Sequence, residues 1–322
     1  MRLGRYAGLV ILAIVFALVL PDTVHAQPAT KVFRVGVLTS GTTTRLRDAL
    51  RELGYIEGRN LVLDVRDTTG TRDRVDAFAA ELARANADVI VATYPAAVLA
   101  AKRATSTIPI VMVNTPDPVQ LGVVTSLARP TGNVTGTTSL SVEVSVKQFE
   151  ILKEALPRVS RIALLWNPDS PWHPLVVRAL RSAKFGAEVH MLEVRDPSQF
   201  EAAFEAIAAA RDEALVVLAD PMLHAPANRK RLVELALRNR LPSMGGLRGW
   251  AEAGGMMSYW ADEAELNRRV AGYVDRILKG ARPGDLPIEQ PNVYELVVNQ
   301  TTAKSLAVTL PPALMRWATV ID

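Results

Sequence analysis

The sequence predicts an α/β fold that consists of two similar lobes, each built on a doubly wound parallel sheet. Two observations support this prediction: short apolar strands alternate with amphipathic helices from Lys31 onward, and the same order of elements recurs 127 residues later. Such alternation is typical of parallel sheets that are covered by helices on both faces. With 322 residues, 49% of them hydrophobic, the chain can supply a core to each lobe.

The first half of the chain starts with an apolar strand at Val32–Leu38. Leu46, Leu50 and Leu53 then lie on one face of a predicted helix, and Gly54 occupies the position where a glycine ends such a helix. The elements that follow are a strand at Leu61–Val65, a helix at Val75–Leu82, a strand at Val89–Val91, a helix at Ala96–Ala104 and a strand at Ile108–Val113.

The second half repeats this pattern. Arg34–Leu38 resembles Arg161–Leu165, and Val89–Thr93 resembles Val216–Asp220, in both cases with an offset of 127 residues. A turn and a strand at Thr131–Gly136 lead from one unit to the next. We therefore predict two similar α/β units side by side.

The C-terminal part of the chain is too short for a third lobe. A strand at Gly255–Tyr259 precedes a helix at Glu263–Leu278, and another strand is predicted at Tyr294–Asn299. One helix and two strands are consistent with a chain that returns to its first lobe and then crosses to the second lobe again.

The N-terminal segment, residues 1–26, is typical of a cleavable secretory signal peptide. Arg2 and Arg5 precede an unbroken small or apolar run at Gly8–Leu20, and a small–x–small pattern ends at Ala26. This run is too short to span a hydrocarbon core about 30 Å thick, so we expect secretion to the periplasm. The sequence has no cysteine, which excludes disulfides, thiolate catalysis and a lipid anchor on an N-terminal cysteine.

The sequence lacks the motifs of an enzyme. It has no nucleophile elbow, phosphate-binding loop or dinucleotide-binding motif, and its histidines show no metal-ligand spacing. We therefore expect no catalytic residues, no cofactor and no bound metal. The net charge of +4 arises from basic residues dispersed among acidic ones, which predicts solvated helix faces and no nucleic-acid partner.

Polar loops follow the predicted strands, and in parallel α/β sheets such loops line the ligand site. Their hydroxyl groups and the amides of helix N-termini suit a carboxylate, whereas their aspartates, Asp117, Asp169 and Asp220, suit an ammonium group. Together these groups indicate an amino acid or a similar zwitterion. Tyr94, Trp172 and Trp260 could stack on a flat ligand. Capping and turn formation by the polar residues, and packing at lobe edges by the aromatic ones, are the structural alternatives.

Several longer segments resemble a single family. These segments are Leu50–Asn60, Ala104–Val111, Asp117–Val119, Ser126–Gly136, Leu165–Pro168, Glu252–Tyr259 and Ile277–Ala281. From about Val32 to the C-terminus, the chain resembles the ABC-transporter substrate-binding family that includes tryptophan- and tyrosine-binding proteins. The resemblance implies a type I periplasmic binding protein fold, in which a multi-segment hinge joins two lobes around a ligand cleft. By that pattern, lobe 1 would consist of residues 31–137 plus 256–285, and lobe 2 of residues 138–255 plus 286–322.

The resemblance also implies a set of ligand-binding positions. They are Thr39, Ser40, Thr93, Asn114, Asp117, Thr138, Asn167, Ser170 and Asp220. The chain departs from the family pattern at Tyr94 and Trp172, whose bulky rings would reshape the pocket, and we include both in the predicted site. The identity of the ligand is therefore not inherited from the family.

Together these features predict a non-enzymatic periplasmic protein that traps a small ligand between its lobes for an ABC importer. The ligand would be an amino acid or a related carboxylate, and an aromatic amino acid is the narrower hypothesis. The expected partners are this small molecule and an ABC permease in the inner membrane, and the protein is expected to be a monomer. A periplasmic sensor of the same fold, which reports ligand occupancy to a membrane receptor, is the alternative that the sequence leaves open.

Overall fold

The computed structural model describes residues 31–69 and 72–322, which form two β-sheets and the helices that cover them. The predicted signal peptide lies outside the described residues. None of the helices in this part of the chain is both long enough and apolar enough to cross a membrane.

The first sheet is parallel, and within the described residues its five strands have the order β2-β1-β3-β4-β5. The strands are β1 (Phe33–Thr39), β2 (Leu61–Asp67), β3 (Val89–Ala92), β4 (Ile110–Pro116) and β5 (Val134–Ser139). The helices between them are α1 (Thr44–Glu52), α2 (Val75–Arg84) and α3 (Pro95–Ala104). The central strand β3 is buried along its whole length, as expected for a strand covered by helices on both faces. We call this sheet with its helices the first lobe.

The helix α1 buries Leu46 and Leu50 against the first sheet, as the sequence predicts. Leu53, which the same pattern assigns to this face, is 46% exposed. The helix ends at Glu52, and Leu53 already belongs to a turn that Gly54 closes with a φ of +89°. A left-handed backbone of this kind is typical of glycine directly after a helix.

The second sheet has seven strands in the described part of the chain, in the order β12-β11-β10-β9-β8-β6-β7. The strands are β6 (Arg161–Trp166), β7 (Glu188–Glu193), β8 (Ala214–Val217), β9 (Ser243–Gly245), β10 (Met257–Ala261), β11 (Tyr294–Asn299) and β12 (Thr319–Ile321). All neighbouring pairs are parallel except β10 and β11. The helices are α4 (Ser141–Ala155), α5 (His173–Ser182), α6 (Phe200–Ala210), α7 (Pro226–Arg238), α8 (Arg248–Glu252), α9 (Glu263–Leu278), α10 (Gln300–Ser305) and α11 (Pro312–Met315). The second sheet and the helices other than α9 form the second lobe.

The two lobes repeat the same pairing around their first strands. Val35 pairs with Val89 in the first sheet, and Ile162, the residue 127 positions after Val35, pairs with Ala214 in the second sheet. Ala214 lies only 125 positions after Val89, so β8 begins two residues earlier than the sequence repeat predicts. The sequence match used Ala219, which already lies in the loop beyond the end of β8.

Within residues 33–322 the chain crosses between the two lobes three times. The crossings lie between β5 and α4, between β10 and α9, and between α9 and β11. Helix α9 returns to the first lobe, where Val270, Tyr273 and Val274 are fully buried in one cluster with Val35 and Leu50. The hinge therefore consists of three chain segments, as the family resemblance implies.

Two of the predicted lobe boundaries differ from the observed pairing. The prediction assigned residues 256–285 to the first lobe, but Met257–Ala261 pairs with β9 and β11 in the second sheet. The prediction also placed the start of the second-lobe segment at residue 286. Ile288, however, is buried in the first lobe, and its amide donates to the Leu127 carbonyl at 2.8 Å. Both differences arise because the partner of a strand is remote in sequence and leaves no local signal.

Candidate functional site

A pocket of about 170 Å³ is lined by residues from both lobes. Its first-lobe wall comes from the ends of β1, β3 and β4, and its second-lobe wall comes mainly from segments that follow β6, β8 and β9, together with β10. Ligands bind at this edge of parallel α/β sheets because loops and helix N-termini converge there. The lining residues are Ser40, Thr93, Tyr94, Pro95, Asn114, Pro116, Ser141, Trp172, Ala219, Asp220, Pro221, His224, Leu247 and Trp260.

Hydroxyl side chains form the first-lobe wall after β1 and β3. Ser40 and Thr93 line the pocket, and Thr93 Oγ1 donates to Thr39 Oγ1 at 3.0 Å. Thr39 is only 4% exposed, and its Oγ1 also accepts a hydrogen bond from the Gly41 amide at 3.2 Å. Thr39, predicted as a ligand contact, therefore lies behind the wall and supports the turn that contains Ser40.

Tyr94 occupies the N-cap position of α3, with extended backbone angles. Its phenolic oxygen lies 2.6 Å from Thr68 Oγ1, which fixes the ring at the pocket wall. Pro95 follows as the first helical residue, a position where the missing amide costs no helical hydrogen bond. The next two amides, those of Ala96 and Ala97, have no carbonyl partner within the helix. Together with the positive end of the helix dipole, they can stabilise a carboxylate.

Asn114 reaches the pocket through an irregularity in β4. The pairing register of β4 with β5 shifts between Met112 and Thr115, and Asn114 has a left-handed φ of 49°. Asparagine tolerates this conformation better than most residues do. The Asn114 amide donates to Thr137 Oγ1 at 2.8 Å, but its side-chain Oδ1 is buried and has no hydrogen-bond partner among the described residues.

Asp220 follows β8 in the second-lobe wall and is 3% exposed. Its Oδ1 accepts hydrogen bonds from the amides of Met222 at 2.8 Å and Leu223 at 3.1 Å, which holds its own turn in shape. Asn167 Nδ2 donates to both carboxylate oxygens, at 3.3 and 3.4 Å. Asn167 is fully buried, so this predicted contact residue orients Asp220 from behind the wall.

Two tryptophan rings form an aromatic side of the pocket. The Trp172 and Trp260 ring centroids are 6.4 Å apart, with the ring planes inclined at 47°. Trp172 also packs edge-on against His173, at a centroid distance of 4.5 Å. His173 is fully buried, and its ring nitrogens bond the backbones of Asn167 at 3.0 Å and Ala219 at 3.1 Å. The two strand ends therefore fix His173, and His173 in turn positions Trp172 at the pocket.

His224 lines the same wall and is 6% exposed, with its ring 5.8 Å from the Trp250 ring. Neither imidazole nitrogen forms a hydrogen bond of ordinary geometry with the described residues. Burial, followed by the charge of Arg229, lowers the pKa of His224 to about 4, although the Asp220 carboxylate and the Val217 carbonyl act in the opposite direction. The ring is therefore uncharged at neutral pH.

The pocket brings together six of the predicted site residues. They are Ser40, Thr93, Tyr94, Asn114, Trp172 and Asp220. Asp117 and Thr138 lie instead at a neighbouring cavity beside the hinge. There the Asp117 carboxylate accepts the Gln120 amide at 3.0 Å, and Thr138 Oγ1 donates to the Thr115 carbonyl at 2.8 Å. Ser170 is 3% exposed and borders neither cavity.

Eight lining residues were not among the predicted site residues. They are Pro95, Pro116, Ser141, Ala219, Pro221, His224, Leu247 and Trp260. Four of them directly follow or precede a predicted residue, so they belong to loops that the sequence analysis identified. His224 follows Asp220 by four positions in the loop after β8. This closeness in sequence to a predicted site residue was the only feature of the sequence that could have indicated His224. The sequence shows Trp260 only as an aromatic residue near a loop. Its position at the pocket depends on the pairing of β10 with β11, a strand that is distant in sequence.

The lining has the chemistry of a site for a small, weakly charged molecule. Among the described residues that line the pocket, Asp220 is the acidic one, and none is lysine or arginine. A strongly anionic ligand would therefore lack a counter-charge. The remaining surface consists of hydroxyl, amide, imidazole and aromatic groups.

Comparison with known proteins identifies the family. The family model described as "ABC transporter substrate binding protein" matches residues 40–321. A tyrosine-binding protein from Clostridioides difficile is 26% identical over 267 residues, which cover 80% of this chain and 74% of that protein. A conserved domain protein from Vibrio cholerae has a TM-score of 0.82 at 28% identity, over 91% of this chain and 100% of that one. An ABC domain from Streptococcus pneumonia, solved with L-Trp, has a TM-score of 0.81 at 22% identity over the same shares of the two chains.

These similarities confirm the predicted type I periplasmic binding protein fold with two lobes around a cleft. They also agree with the prediction that the protein is not an enzyme, because the family binds solutes and does not convert them. Since the family match covers nearly the whole described chain, this protein belongs to the ABC transporter substrate-binding protein family.

Proposed function

We propose that this protein captures an amino acid between its lobes and presents it to the permease of an ABC importer. The observation that best supports this proposal is the division of the pocket into two kinds of surface. Hydroxyl groups and a helix N-terminus form one wall, and aromatic rings with one carboxylate form the other. The tyrosine-binding relative supports an aromatic amino acid as the ligand.

In this proposal the ligand carboxylate lies at the N-terminal end of α3. The Ala96 and Ala97 amides and the hydroxyls of Ser40 and Thr93 would donate to it, which removes the need for an arginine. The ligand ammonium group would lie on the opposite wall, where Asp220 supplies the negative charge.

The ligand side chain would lie against the Trp172 and Trp260 rings. Their inclination of 47° forms an open wedge rather than a stacked pair, and the apolar Leu247 side chain also borders this space. A flat aromatic side chain gains both apolar burial and favourable ring contacts in such a wedge.

Capture would depend on closing the cleft. A ligand held by both walls contributes its full binding free energy only when the walls are close together, so it shifts the population towards the closed arrangement. The permease would then recognise the closed protein. We place the protein in the periplasm as a monomer, on the support of the predicted signal peptide and of the family.

The test is differential scanning fluorimetry of the chain from Gln27 to Asp322 with the amino acids, aromatic acids, short peptides and sugars. A ligand that binds only the folded state raises the melting temperature with concentration, by about 2.7 kcal/mol of stabilisation at 100 times Kd. We expect the largest shifts with tyrosine, tryptophan or phenylalanine. A shift with sugars alone would reject the amino-acid ligand.

A matched pair of variants separates binding in the pocket from binding elsewhere. Trp172→Leu should abolish most of the ligand-induced shift, because the ring borders the pocket. Trp317→Leu should retain it, because Trp317 is 48% exposed and lies outside the pocket. Equal shifts in both variants would argue against this pocket as the site.

A further inference from the structure

The imidazole of His224 is a buried polar group near the Val217 carbonyl and the Trp250 ring. It borders the pocket at 6% exposure, and both ring nitrogens lack a hydrogen bond of ordinary geometry with the described residues. A buried donor or acceptor without a partner lowers the stability of the folded state. Such groups in a folded protein call for an explanation, and a ligand is one.

The loop around His224 is held by other atoms. The His224 amide donates to the Asp220 carbonyl at 2.8 Å, and Asp220 Oδ1 accepts the amides of Met222 and Leu223. Asn228 Nδ2 donates to the Met222 carbonyl at 2.8 Å. The imidazole is therefore not needed to shape this loop.

A second unpartnered group belongs to Asn114, which lines the same pocket from the other lobe. Asn114 Oδ1 is buried without a hydrogen-bond partner among residues 31–69 and 72–322, although the Asn114 amide is bonded to Thr137. Asn114 of the first lobe and His224 of the second thus border one pocket, and each has a side-chain atom that can accept a hydrogen bond. The Asp220 carboxylate lies in the second-lobe wall with the imidazole.

We propose that Asn114 and His224 bind the ammonium group of the ligand together with Asp220, so that this group links the two lobes. An ammonium group has three N–H donors, and these three side chains offer three acceptors around one small pocket. The inference rests on the proposed amino-acid ligand, and it adds the residues that recognise the charged nitrogen and join the walls.

The charge state of the imidazole agrees with this role. Burial lowers the pKa of His224 to about 4, so the ring at neutral pH keeps a free lone pair and does not repel a cation. None of the described lining residues is lysine or arginine.

The test compares a ligand with and without its ammonium group. The probes are L-tyrosine and 3-(4-hydroxyphenyl)propanoic acid, which share the ring and the carboxylate, and their Kd values are measured by isothermal titration calorimetry. The variants are His224→Leu, which fills the site with an apolar side chain, and Asn114→Gly, which removes the amide but tolerates the φ of 49°. We expect each variant to bind L-tyrosine at least tenfold more weakly and the deaminated acid with little change.

The outcomes distinguish this inference from the proposed function. Unchanged L-tyrosine binding in both variants, or equal losses for both probes, would overturn the assignment of Asn114 and His224 to the ammonium group. A wild-type protein that binds no amino acid would overturn the proposed function and this inference with it.

Melting temperatures without ligand provide the control for folding. His224→Leu should melt no lower than the wild type, because neither imidazole nitrogen forms a hydrogen bond of ordinary geometry with the described residues. A marked fall in the melting temperature of unliganded His224→Leu would show that the imidazole stabilises the folded protein without ligand. That result would contradict the inference that its role is to bind the ligand.

Discussion

Individual residues around the pocket use different atoms for the fold and for the proposed ligand. Asp220 holds its turn through Oδ1, which accepts two backbone amides, and the residue also lines the pocket. Asn114 bonds the fold through its backbone amide and leaves its side-chain oxygen unpaired. Replacing Asp220 by alanine would orphan two buried amides, so a loss of affinity in that variant would not isolate a ligand contact.

The buried imidazole of His224 should make the stability of the protein depend on pH. Its pKa is lowered from 6.5 to about 4 in the folded state, mainly by burial and by the charge of Arg229, whereas Asp220 opposes the shift. Above pH 6.5 neither state binds a proton, and as the pH falls the unfolded chain binds one first. Stability is therefore lost between pH 6.5 and 4, by roughly 3 kcal/mol from this residue.

Urea denaturation at pH 7 and pH 4.5 measures this loss. We expect the wild type to lose roughly 2–3 kcal/mol more unfolding free energy than His224→Leu over this interval. The other acidic and basic groups are common to both proteins and cancel in the comparison. Parallel losses in the two proteins would show that His224 titrates alike in the folded and unfolded chains.

At the residue scale, the sequence predicts which loops meet but not every side chain that lines the pocket. Thr39 and Ser40 are adjacent, yet only Ser40 lines the pocket, because successive side chains at a strand end point in opposite directions. The sequence does not predict His224 as a site residue, because a single histidine forms no recognisable binding motif. Its significance depends on burial and on missing partners, which only coordinates reveal.

At the element scale, the bulge in β4 depends on close contact with β5. Gly136 has a φ of +124°, and a Cβ atom on it would lie 2.2 Å from the Met112 carbonyl oxygen. We expect Gly136→Ala to lower the unfolding free energy by about 3 kcal/mol or more, since both the backbone conformation and the space exclude a side chain. Urea denaturation of the unliganded protein measures the effect.

Gly272 provides the matched control in α9. A Cβ atom there would meet nothing within 4 Å, and the residue lies inside a helix. Gly272→Ala should raise the unfolding free energy by about 0.5–1 kcal/mol. Equal stability of the two alanine variants would contradict the conclusion that β4 leaves no room for a side chain at Gly136.

The bounds of elements with clear local signals are predicted better than the partners of strands. The predicted bounds of α9, Glu263–Leu278, match the structure because its buried stripe is regular and its ends have caps. Asp262 accepts the Glu265 amide at 2.6 Å at one end, and Gly280 has a φ of +102° beyond the other. By contrast β10 was assigned to the wrong lobe, because its neighbours β9 and β11 cannot be deduced from its own sequence.

At the scale of the whole molecule, the three-segment hinge should allow the lobes to move as units. Small-angle X-ray scattering with and without L-tyrosine tests this movement. We expect a smaller radius of gyration with the ligand, because contacts from both walls favour the closed arrangement. Trp172→Leu should show a smaller change or none at the same concentration. Identical scattering of liganded and unliganded wild type would contradict closure as the capture step.

The return of α9 to the first sheet determines when the first lobe can be completed. All five strands of that sheet precede residue 140, but the helix that covers one of its faces spans Glu263–Leu278. During synthesis from the N-terminus, Val35 and Leu50 lack this cover until most of the chain has been made. The first core can therefore close only after the segment Glu263–Leu278 has been synthesised.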